Sequence, residues 1–122
     1  MKLQPTPPSA LNTITGYGEG YVMVNGERHS GSLLVTPEQV LPWTAASFDA
    51  LEEAHFEGLL ELKAEIVLLG TGPRQRFPHP RLTRALAARR VGLEAMDLHA
   101  ACRTYNFLMA EDRRVAAALL FA

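Results

Sequence analysis

Ala64-Glu65-Ile66-Val67-Leu68-Leu69-Gly70-Thr71-Gly72-Pro73 is an apolar run that stops abruptly at glycines. Ile66 to Leu69 shows no polar alternation and includes two β-branched residues, the pattern of a central strand buried on both faces of a parallel sheet. Gly70, Gly72 and Pro73 end it. In an open α/β sheet, ligands bind in the crevice beyond the carboxyl ends of the strands, so Thr71 to Phe77 is the first candidate loop.

Downstream of that strand the pattern alternates. Arg81 to Arg90 places Leu82, Ala85, Leu86 and Arg89 at helical spacing, with Pro80 suited to a first helical position and Gly92 to the end. Val91 to Met96 reads as a strand, and Asp97 as the N-cap of a helix carrying Leu98, Ala101, Cys102, Tyr105, Leu108 and Met109 on one face. His99, Arg103 and Asn106 fall on the other. Val115 to Phe121 is a last apolar strand, weakened by its alanines. The C-terminal half is thus βαβαβ with right-handed crossovers.

Upstream, the strands are antiparallel. Asn25-Gly26 is the strongest hairpin signal, because both central positions of a type I′ turn need positive φ. It joins Tyr21–Val24 to a returning strand at Glu27 to Ser30, preceded by Thr13-Ile14-Thr15. Ser32 to Thr36 forms another strand, closed by Pro37. Pro42 and Trp43 lie in a connection leading to Ser47, read as N-cap of a helix over Phe48 to Phe56. Residues 1–11, with Pro5, Pro7 and Pro8, read as an extended arm before a single domain over 12–122.

The chain has 122 residues, 48% hydrophobic and 20% charged, within the ordinary globular range. Its net charge of −1 offers no global attraction to nucleic acid or acidic lipid. The charge is nevertheless segregated. Asp49, Glu52, Glu53, Glu57, Glu61 and Glu65 face only Lys63 over 49–65, whereas Arg74, Arg76, Arg81, Arg84, Arg89 and Arg90 occupy 66–93 without an acid. An acidic protein partner, or self-association with the 49–65 segment, fits this basic stretch better than nucleic acid, since Phe77 is its only aromatic. The single cysteine fits a reducing compartment, and no run approaches the ~18–20 apolar residues that span a bilayer. A cytoplasmic location is the resulting expectation.

Leu68-Leu69-Gly70-Thr71-Gly72, Val91 to Asp97, Ala100 to Leu108 and Glu111 to Ala118 together resemble the Mth938-like family over residues 12–122. The order and spacing of the four segments match. One departure is Leu98-His99 after Asp97, where the family pattern has a threonine. The resemblance implies a three-layer α/β fold with a mixed central sheet. It also implies no established enzymatic activity: the family includes a mitochondrial assembly factor for respiratory complex I, which works with a partner protein, and a vertebrate protein linked to adipogenesis.

Two functional readings follow. In the first, the chain is a non-enzymatic interaction module whose partner-binding residues are Trp43, Arg74, Arg81 and Arg84. In the second, the chain is a small-molecule binding protein or weak enzyme in which Gly70, Thr71, Gly72, Arg74, Arg76 and Asn106 bind a small anionic ligand, through loop N–H groups and guanidiniums. The loop lacks a Gly-x-Gly-x-x-Gly or Gly-Lys-Ser/Thr fingerprint, and a tight turn after a buried strand, with solvated arginines, is the favoured explanation of it. Cys102 lies on the apolar stripe and reads as a core residue. His29, His55, His79 and His99 have no metal-ligand spacing with one another or with Cys102, and no cofactor is implied.

Overall fold

The computed structural model describes residues 11–122; the extended arm expected at the N-terminus falls, as far as residue 10, outside them. The chain first builds a small antiparallel sheet from β1 (Ile14–Gly18), β2 (Tyr21–Val24) and β3 (Glu27–His29). Asn25 and Gly26 both take positive φ, 53° and 83°, so the expected turn forms. Val24 then pairs with Glu27 across it.

A second sheet of five strands has the order β5-β4-β8-β6-β7. Its strands are β4 (Leu33–Val35), β5 (Val40–Pro42), β6 (Ile66–Thr71), β7 (Gly92–Met96) and β8 (Val115–Leu120). β8 runs antiparallel to β4 and parallel to β6, so the sheet is mixed. β6, the run quoted first, lies between two parallel neighbours and is buried from Val67 to Thr71. β8 is buried throughout despite its alanines. Small residues there leave room for Leu68 and Leu69, which stand opposite Ala117 and Ala118. Packing overrides propensity in such a strand.

Helix α3 (Leu98–Ala110) and the small sheet cover one face of the large sheet, sharing a core with Leu68, Ala117 and Leu119. Helices α1 (Glu53–Glu57) and α2 (Arg84–Ala88) cover the other, where Phe56 and Leu86 pack on Val67, Leu69 and Leu120. The result is three layers. The chain moves outward from β6 to β7 through α2, then back past β6 to β8 through α3. The two crossovers lie on opposite faces, as a common handedness demands when direction reverses.

Four local expectations are corrected. The connection at Pro42 contains β5, whose residue Leu34-facing Leu41 and whose neighbour Pro42 pair antiparallel with β4; proline is tolerated because β5 is an edge strand. The helix does not start at Ser47. Turns at Ser47–Leu51 precede an extended Glu52 (φ −130°, ψ 165°), whose N–H donates to His55 Nδ1 at 2.9 Å, and α1 begins only at Glu53. The helix expected over 81–90 is split at Thr83 into a 3-10 turn (Pro80–Leu82) and α2. Its end is set by Arg90 (φ 58°) rather than Gly92: Val91 N–H reaches Leu86 C=O and Arg90 N–H reaches Ala87 C=O, a Schellman closure, and Gly92 already belongs to β7.

Candidate functional site

β6 delivers Thr71 to the carboxyl edge of the sheet, where the crevice rule places a site. The residue is 1% exposed, and its hydroxyl is the hub of the following loop. Oγ1 donates to the Arg74 carbonyl at 2.6 Å and lies 3.1 Å from the Met96 carbonyl, while accepting from the Arg76 N–H at 3.0 Å. Thr71 thereby ties the loop 72–76 to the last residue of β7. Gly72 adopts φ 87°, and its carbonyl accepts from Leu98 N–H at 2.8 Å at the start of α3. Asp97 caps the same helix, accepting from Ala100 N–H at 2.9 Å, as its position in the sequence indicates.

Gly70 has a packing role. A Cβ there would stand 3.0 Å from Leu119 Cδ2 and 3.2 Å from Ala101 Cβ, so the glycine lets α3 lie directly on β6. Asn106 is far from the loop in function. Its Oδ1 accepts from Ile14 N–H and its Nδ2 donates to Ile14 C=O, so α3 is laced to β1. Of the six residues read as an anion site, the structure brings Gly70, Thr71, Gly72, Arg74 and Arg76 together and sets Asn106 elsewhere. The polar atoms of Thr71 and Asn106 are already engaged by the fold.

The segregated charges meet within the chain. Arg76 donates to Asp49 at 2.7 Å and stacks 4.1 Å above the Phe48 ring, and Arg84 bridges Glu53 at 3.1 Å. The Arg76 hydrogen bond, aided by its charge, holds the exposed Asp49 carboxyl below its usual pKa. An open cleft of about 710 Å³ runs between Asp49–Glu53 and Arg81–Arg84. Arg74 and Arg81 are exposed and form no ion pair among the described residues.

Trp43, read as an apolar anchor for a partner, is only 8% exposed and meets Phe56 edge-on at 6.3 Å. Phe77 holds the outward aromatic position instead, 73% exposed in the same loop as Arg74. Its one sequence signal is its isolation among arginines and prolines. Gln75 was also missed; its Nε2 donates to the Ala95 carbonyl of β7 at 2.9 Å. Cys102 is buried on α3, and burial pushes its thiol up to about 12, away from nucleophilic use at neutral pH. Among the described residues, no helix is long and apolar enough to cross a membrane.

Residues 14–120 match the family described as "Protein of unknown function (DUF498/DUF598)". A bovine protein named NADH dehydrogenase [ubiquinone] 1 alpha subcomplex assembly factor 3 is 36% identical over 120 residues, which cover 97% of this chain and 65% of that protein. A crystal structure of a Bordetella parapertussis protein superposes with a TM-score of 0.88 at 44% identity, over 95% of this chain and all of that one. A Bordetella pertussis protein described as a Mth938-like domain gives 0.82 at 38% identity, over 98% and 92% of the two chains. With its matched segment running from β1 to the end of β8, the chain belongs to the DUF498/DUF598 family and carries the Mth938-like fold.

Proposed function

We propose that this chain is a non-enzymatic interaction module of the assembly-factor kind. It would hold a protein partner on the surface formed by Arg74, Phe77 and Arg81. The observation that carries this reading is the alignment of 97% of the chain with a protein named as an assembly factor. What aligns is this domain, 97% of this chain against 65% of that protein, so a capability common to both lies in the shared part. The surface chemistry supports the location. Phe77 offers an apolar anchor of the kind that dominates interfaces, and Arg74 and Arg81, exposed and without an ion pair among the described residues, supply guanidiniums to the same surface. An acidic surface on the partner complements them. A cytoplasmic setting is part of the proposal and fits the free thiol of Cys102.

The test is affinity capture from extract of the source cells, comparing the wild-type chain with Phe77→Ser and with Arg74→Glu/Arg81→Glu. All three residues are exposed, so the melting temperature should stay within about a degree or two. A specific protein retained by the wild type and lost by both variants supports the reading. An identical capture profile for all three chains overturns it.

A further inference from the structure

Every sheet edge leaves backbone N–H and C=O groups without a strand to pair with, and native folds guard such edges with charge, proline, brevity or a covering element. The described edges of this protein follow that rule, with one exception. β1 lies against α3, where Asn106 takes both polar groups of Ile14 and His99 Nε2 meets the Gly18 carbonyl at 3.1 Å. β3 has three residues, Glu27, Arg28 and His29, and β5 ends in Pro42. β7 is five residues long, without proline, and its middle is Leu93-Glu94-Ala95.

The orientation of β7 follows from one bond. Gly92 N–H donates to Glu65 C=O at 3.0 Å, so Gly92, Glu94 and Met96 turn their backbone groups toward β6. Leu93 and Ala95 must then turn theirs outward, because successive residues of a strand alternate. The outer edge presents Leu93 N–H, Leu93 C=O and Ala95 N–H. The next acceptor, Ala95 C=O, is taken by the Gln75 amide, which occupies the place of a strand donor.

We infer that the outer edge of β7 receives an extended segment of the protein partner as a sixth strand, and that this segment is acidic at its ends. This deepens the interaction reading above and rests on it. Main-chain pairing to Leu93 and Ala95 supplies the register, the mode of recognition known as strand addition. Charge selects the occupant. Arg89 and Arg90 stand exposed at the end of α2, with Val91 between them and the start of β7 at Gly92, and the Arg74 backbone stands at its other end, where one Thr71 hydroxyl contacts both the Arg74 and Met96 carbonyls. Neither end carries an acid that pairs with these arginines among the described residues, and Glu94 lies between them. A segment with apolar residues beside Leu93 and Ala95 and carboxylates at the flanks complements the whole edge.

The test uses the purified chain and a random twelve-residue peptide library displayed on phage. Free protein should exchange the Leu93 and Ala95 amide protons rapidly. Selected peptides should be acidic at their flanks, slow both exchanges, and bind about tenfold more weakly to Ala95→Pro, which deletes one outward N–H and keeps a small side chain. Leu93→Pro serves as a second variant, and urea midpoints establish that each is folded. Raised salt should weaken binding. The inference is overturned if selected peptides leave both exchanges unchanged or bind Ala95→Pro equally well. Recovery of no peptide also overturns it, as does prior protection of both amides in a dimeric free protein, which would give the edge to a second copy. If Ala95→Pro still captures the partner that Phe77→Ser loses, strand addition fails and the interaction reading survives.

Discussion

The Asn106 carboxamide pairs with Ile14 as a neighbouring strand would, Oδ1 accepting from Ile14 N–H at 2.9 Å and Nδ2 donating to Ile14 C=O at 2.7 Å. One side chain on α3 thereby closes the Ile14 end of the β1 edge and ties the small sheet to α3. Asn106→Ala leaves both half-buried backbone groups unpaired, and a loss of about 2 kcal/mol is expected, since each unsatisfied group costs about 1–3 kcal/mol when water cannot replace the bond. Urea denaturation checks it. Asn106→Ala with an unchanged midpoint would remove the lacing role.

Gly70→Ala should destabilise the fold by about 1–3 kcal/mol, the usual cost of overpacking a core. The new methyl meets Leu119 Cδ2 at 3.0 Å, which can rotate, and Ala101 Cβ at 3.2 Å, which cannot move without shifting α3. Thermal unfolding measures this. A neutral result would mean that α3 slides freely on β6.

Cys102 is fully buried with its thiol raised to about 12. Ellman's reagent at pH 8 should therefore leave the native protein unlabelled and titrate one thiol per chain in urea. Fast labelling of the folded protein would contradict this burial.

Arg76 lowers the Asp49 pKa and Arg113 lowers that of Glu65, both chiefly through hydrogen bonds. A carboxyl whose folded-state pKa is depressed contributes stability above its unfolded pKa and loses it as pH falls through the folded value. Stability should thus decline as pH drops below about 4.5, with a small amplitude because both groups are exposed. Arg76→Met should flatten the Asp49 part of that decline, and added salt should reduce what remains. The comparison is of urea midpoints between pH 6 and pH 3.

Much of the fold is legible in the sequence because its signals are local. Asn25-Gly26 specifies its turn by φ alone, Asp97 its cap by reach to the next turn, and Ile66 to Thr71 its central place by unbroken apolarity. Local signals mislead where the core chooses differently. Ser47 is a good N-cap, yet the chain turns at Ser47–Leu51 and extends at Glu52 before α1, with Leu51 and Phe56 both in one core. The candidate site was less legible for the same reason. The Thr71 bond that reaches β7 joins positions 25 apart, the Asn106 bonds to Ile14 join positions 92 apart, and the Arg76–Asp49 pair joins positions 27 apart. No spacing rule shows that a glycine loop ahead of two arginines will be tied to the neighbouring strand by its own hydroxyl, or that an acidic segment will neutralise part of a basic one.

The central claim is that a protein partner sits at the carboxyl end of β6, against the Arg74–Arg81 surface and the outer edge of β7. Hydrogen exchange read by mass spectrometry, on the chain alone and on the complex recovered by capture, locates the partner directly. The expected result is slowed exchange in the segments 72–82 and 92–96, with the exposed Phe107 side of α3 unchanged. Slowed exchange confined to α3 and the small sheet, with 72–82 and 92–96 unaltered, would contradict it.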